Sequence, residues 1–163
     1  LTATFTHRSR SGNFKKLLKR LEKRVVLVGI PAGQNPREGK IGNAALYYLM
    51  ETGSPAQNIP PRPTLVPGVR SVRKEVGSKM RAAMRRAMKT GADVETVLDA
   101  GLKAAGLTAV SAVQQRIRAN TPPPLAESTL RKRKKRGVTR TNTLIDTGEM
   151  MKSVTYVIRD KRG

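Results

Sequence analysis

Cysteine is missing from all 163 residues, which excludes disulfide stapling and thiolate metal sites. Tryptophan is missing too, and the rings are Phe5, Phe14, Tyr47, Tyr48 and Tyr156. Binders of single-stranded nucleic acid usually combine a basic groove with stacking aromatics, and the second ingredient is scarce here. The one histidine, His7, sits in an N-terminal stretch of Gly, Ser, Thr and Arg. Histidine-based nucleophile, base and metal arrangements therefore lack their parts. Neither Gly29-Ile30-Pro31-Ala32-Gly33 nor Gly53-Ser54 carries the Gly-Lys-Ser/Thr of a phosphate loop. The expectation is a protein with no enzymatic activity and no cofactor or metal. No run approaches the roughly 20 apolar residues of a membrane span, and no apolar h-region marks a secretory signal. Membrane contact is not expected, and the setting is intracellular or an assembled particle.

What the chain has in abundance is positive charge. Lysine and arginine total 33 against 11 acidic residues, a net charge of +22. That much like charge repels itself in a compact state, so an acidic or polyanionic partner is expected to relieve it.

The length suits one domain, expected over residues 13–160 after a flexible N-terminal arm over 1–12. Phe14, Leu17, Leu18 and Leu21 recur at helical spacing. The apolar run at 25–30, stopped by Pro31, reads as a buried strand, and residues 31–40 as a loop. A helix is expected from Ile41 to Thr52, with Ile41, Ala45, Tyr48 and Leu49 on one face and Gly53 as its stop. Prolines 55, 60, 61, 63 and 67 imply an extended path from Gly53 to Gly68. Two long helices follow, at about 69–90 and 94–119. Val72, Val76, Met80, Met84 and Met88 recur in the first, and the methionines read as core rather than binding surface. Asp93 caps the second, where Gly101, Gly106 and Ala109 permit close approach by another element. A short helix at 127–136 and a strand at 154–159 close the chain. The fold class is α+β, a small antiparallel sheet including the 25–30 and 154–159 strands packed against the two long helices.

Three features invite a functional reading beside a plain one. Asp146 and Glu149, three residues apart, are the closest acidic pair, and a helix capping box explains them. Arg131, Lys132, Arg133, Lys134, Lys135 and Arg136 form an unbroken cationic run. It suits an acidic partner or direct contact with DNA phosphates, the latter with steep salt dependence, or serves as a solvated tether or localisation signal. Arg62, between Pro61 and Pro63, is either a displayed contact residue or part of a rigid connector.

Three segments in order resemble a known family. Gly53-Ser54-Pro55-Ala56-Gln57-Asn58-Ile59-Pro60-Pro61-Arg62-Pro63-Thr64-Leu65 is similar to the isoleucine, proline, Arg-Pro, leucine signature of long-tailed bacteriophage neck proteins. Pro123-Pro124-Leu125-Ala126-Glu127-Ser128-Thr129-Leu130-Arg131 resembles the segment usually found next. Leu144-Ile145-Asp146-Thr147-Gly148-Glu149-Met150 with Ser153-Val154-Thr155-Tyr156 resembles the C-terminal signature. The group is the tail-completion, minor-tail-Z-like or head–tail joining proteins. Thr64 departs from it, because members often carry an aromatic after the Arg-Pro pair.

The resemblance implies a virion protein of the neck, forming an oligomeric ring, expected as a hexamer, at the head-proximal end of the tail. Its implied partners are the tail terminator and head-completion or connector proteins, with non-specific contact to genomic DNA. Ile59, Pro60, Arg62, Pro63 and Leu65 become interface candidates. The alternative is a basic nucleic-acid-binding protein of ribosomal or DNA-packaging type.

Overall fold

The computed structural model describes residue 15 and residues 18–32, 41–90 and 93–161. The expected arm over 1–12 and residues 33–40 of the expected loop lie outside them. In chain order the elements are α1 (residues 18–22), β1 (Arg24–Gly29), α2 (Asn43–Thr52), a 3-10 turn (Pro55–Gln57), α3 (Leu65–Ser71), α4 (Arg73–Thr90), α5 (Val94–Arg118), α6 (Glu127–Lys135), α7 (Glu149–Lys152) and β2 (Thr155–Asp160). The α+β class holds, and β1 pairs antiparallel with β2, from Arg24 opposite Asp160 to Gly29 opposite Thr155. Both strands are displaced by one residue from their expected bounds. Among the described residues the only other strand-like pairing is a bridge between Ser54 and Ile59.

Helix α5 organises the rest. Asp93 caps it as expected, its carboxylate accepting the Thr96 N–H at 3.0 Å. Leu98, Leu102, Ala105, Ala109, Ala112, Val113 and Ile117 are buried along it, a stripe with the three-and-four spacing of one helical face. Small residues let three elements close on that stripe. A Cβ on Gly106 would lie 2.4 Å from the Tyr156 ring of β2, and one on Gly101 would lie 2.7 Å from Met80 Sδ of α4. From the α3 side, a Cβ on Gly68 would meet the Val113 backbone at 2.9 Å. By length and composition Glu95–Arg118 is apolar enough to cross a membrane, contrary to the expectation that no stretch is. Its apolar stripe, however, is covered by the protein's own sheet and helices.

Two apolar clusters result. One joins Tyr47, Val113, Ile117, Leu144, Met150 and Val154; the other centres on Leu98 and Leu102 with Met80, Met84, Val26 and Ile158 packed against them. Met80 and Met84 are thus core, while Met88 is exposed.

Four expectations fail for local reasons. The helix expected at 69–90 is two helices, α3 and α4, separated at Val72. Pro67 lies in the first turn of α3, where backbone N–H groups have no intrahelical acceptor, so proline is tolerated. The expected extended path is thus confined to the stretch between the 3-10 turn at Pro55–Gln57 and α3. Helix α2 is rotated from its expected face: Asn43 and Tyr47 are buried, and Ile41 and Tyr48 are exposed. The Tyr47 hydroxyl finds Thr64 Oγ1 at 2.9 Å inside the core, and this bond makes the interior suitable for its polar end. Strand β1 is half-buried along its length instead of buried, and Leu27 is 48% exposed.

Candidate functional site

The proline-rich connector is anchored at both ends. Gly53 ends α2 at φ 76°, its N–H bonded to Leu49 O, and a Cβ there would lie 2.8 Å from Pro61 N. Only glycine fits both the positive φ and the contact. At the other end, the Glu51 carboxylate collars the start of α3. It accepts from the N–H groups of Thr64 at 2.7 Å and Leu65 at 3.1 Å, and from Thr64 Oγ1 at 3.3 Å. An acceptor at a helix start satisfies amides that have no intrahelical partner. Local sequence carries no signal of this role, because the carboxylate acts on residues 13 and 14 positions away.

Arg62 is not displayed. It is 5% exposed, with Nε donating to Pro123 O at 3.0 Å and Nη2 to Pro124 O at 3.3 Å. Burial pulls its pKa below the ordinary arginine value, since a desolvated cation is disfavoured. The connector reading of Arg62 replaces the contact reading. Of the other connector candidates, Ile59, Pro60 and Leu65 are half-buried and Pro63 is exposed. Leu65 packs on the main core.

The cationic run is divided by burial. Arg133 is 6% exposed, and its Nη1 donates to the carbonyls of Asn142 at 2.7 Å and of Arg140 and Ile145 at 3.1 Å. It is an internal staple for the loop after α6, and it leaves the set of surface contacts. Arg136 is exposed but bonds Asp146 Oδ2 at 2.9 Å. Arg131, Lys132, Lys134 and Lys135 face solvent.

Asp146 is consequently a partner of Arg136 and a neighbour of Arg133 Nε, 3.6 Å away. The expected capping box with Glu149 does not form. Gly148 immediately precedes α7 at φ 91°, with no side-chain cap bond. A box would require Thr147 and Gly148 to be helical, and that φ forbids it. Thr147 Oγ1 accepts the Glu149 N–H instead, at a long 3.4 Å.

These contacts bring the three resembling segments together. Arg62 of the first bonds Pro123 and Pro124 of the second. Arg133, just beyond the second, bonds Ile145 of the third. Leu65 packs against the cluster holding Leu144, Met150 and Val154. On α4, Arg73, Lys74, Arg81 and Arg85 are exposed. Among the described residues no three His, Asp or Glu side chains group as metal ligands. The site is a tied corner flanked by cationic surfaces. Comparison with protein families, with characterised proteins and with solved structures finds no match.

Proposed function

We propose that this chain is a structural component of a phage neck, a ring-forming tail-completion protein that works by assembly. The supporting observation is the convergence just described: three segments that separately resemble the family's signatures are bonded into one corner through Arg62 and Arg133. The same corner leaves Pro63 and most of the α6 cations exposed for neighbouring subunits.

The charge constrains the arrangement. A conduit lined by fixed cations would grip the duplex it must release, since each neutralised phosphate adds roughly one unit of log slope to the salt dependence. Most exposed cations in this proposal face acidic neighbouring proteins, and a minority reach DNA. The second reading, a basic nucleic-acid-binding protein, draws on the solvent-facing Arg131, Lys132, Lys134 and Lys135.

Native mass spectrometry of the purified chain separates the two. A closed ring, with little retention of random duplex at physiological salt, supports the neck component. A monomer that holds random duplex with steep salt dependence overturns it in favour of the second reading.

A further inference from the structure

Strand β1 has one unpaired edge over the described residues. The Lys161 N–H donates to Lys23 O at 2.7 Å, which fixes the phase of the antiparallel ladder. Pairs of that phase, Val25 with Arg159 and Leu27 with Val157, exchange the inter-strand bonds. The N–H and C=O groups of Val26 and Val28 consequently point away from β2, along the open edge.

That edge overlooks a groove of about 250 Å3. Val26 and Val28 form one wall, Ala105 and Ala109 of α5 the floor, and Val69 and Val76 of α3 and α4 the far wall. The small floor residues leave depth that no side chain of the described residues fills. Arg70 and Arg73 line the same groove, both exposed and neither in an ion pair among the described residues.

The geometry points to this groove as a docking site for an extended, acidic segment of another protein, added to β1 as a third strand. Main-chain bonds to Val26 and Val28 give such a segment its register, and alternate apolar side chains drop onto Ala105 and Ala109. Carboxylates on the intervening positions meet Arg70 and Arg73 at the mouth. Charge selects a foreign strand over a second copy. A chain of net +22 brings like charge to an arginine rim, and several of its few acids are engaged elsewhere, Glu51 on α3, Asp146 on Arg136, and Glu95 and Asp99 on Arg20 and Arg24. The inference does not depend on the neck assignment.

The test uses the full chain, isotope-labelled, and a capped peptide alternating valine with glutamate. Saturable binding that slows amide exchange at Val26 and Val28 is expected. The same peptide with lysine for glutamate, or with alternate amides N-methylated, is expected to leave both amides unchanged. The double variant Arg70→Glu, Arg73→Glu is expected to weaken the glutamate peptide roughly tenfold while its circular dichroism and Tm stay those of the parent. Equal response to the lysine peptide, or no protection by the glutamate peptide, overturns the proposal. So does protection of both amides in the protein alone: independent of concentration it means the chain's own residues hold the edge, and rising with concentration it means a second copy does.

Discussion

Two arginines serve the interior of this strongly basic protein, and their environments differ from those of the cations around them. Arg133 holds three loop carbonyls with one nitrogen, so removing it strands part-buried acceptors as well as deleting a bond. Arg133→Met is expected to destabilise by about 2–4 kcal/mol, against about 0.5 kcal/mol or less for Lys132→Met on the exposed side of the same helix. Urea midpoints of the two variants provide the comparison, and similar losses would place Arg133 at the surface. Tyr47 gives a second residue-level expectation. Burial pushes its phenol up to about 12 from an unfolded value near 10. Between these values the folded state holds the proton more tightly than the unfolded state, so stability falls as pH rises from about 10 to about 12 and is unaffected below. Tyr47→Phe should lose stability at neutral pH with its bond to Thr64 and show a flatter decline over that alkaline window. Thermal unfolding at pH 9 and pH 11 checks both points.

Glycine separates packing from propensity at the level of helices. Gly77 in α4 and Gly106 in α5 both lie within helices, where alanine is intrinsically favoured by about 1 kcal/mol. At Gly77 an added Cβ meets only the Arg81 guanidinium, at 3.3 Å, the far end of a flexible side chain. Gly77→Ala is expected to stabilise by up to about 1 kcal/mol. At Gly106 the Cβ would enter the Tyr156 ring, and Gly106→Ala is expected to destabilise by about 1–3 kcal/mol through overpacking. Opposite signs in chemical denaturation are the expected result; a gain at both would mean that the sheet does not rest on α5 there. The close approach at Gly106 was readable in the sequence because a small residue interrupts a long apolar stripe at a helical interval. The pairing of β1 with β2 was readable because both runs are β-branched and bounded by turn residues. The split at Val72 was not, since valine is compatible with either helix and the close approach of Gly68 to Val113 joins positions far apart in the chain. Nor was the inward turn of Tyr47, which depends on Thr64 seventeen residues away. In the tied corner, residue type and local spacing located Arg62, Arg133 and Asp146 as notable, but the carbonyl partners of the two arginines and the guanidinium partners of Asp146 come near only by folding. Asp146 to Glu149 matches a capping box by spacing alone, and one positive φ at Gly148 cancels it.

Across the whole molecule, unbalanced charge sets the response to solvent. Its 33 cations face 11 acids, and several of those acids are committed to local tasks such as collaring α3 or bonding Arg24. Repulsion among exposed cations on α4 and α6 therefore has few internal counterweights. Salt acts in two opposing directions. It weakens the exposed ion pairs, such as Lys79 with Glu75 at 2.6 Å, each worth about 0–1 kcal/mol. It also screens the repulsion, with a Debye length shrinking from about 30 Å at 0.01 M to about 10 Å at 0.1 M. Helix α5 is 25 residues long, about 37 Å, so at low salt cations near its two ends sit at about the range where each still feels the other. The repulsive sum involves many pairs and the attractive sum only a handful, so screening the former prevails. Raising sodium chloride from 0.01 to 0.2 M is expected to increase the Tm, and sulfate at equal ionic strength to increase it further, because a divalent anion also occupies the sites an acidic partner would fill. A scanning-fluorimetry series in the two salts decides the point. A Tm that falls with salt would mean that the few ion pairs outweigh the excess of cations, and the need for an acidic companion would lose its physical basis.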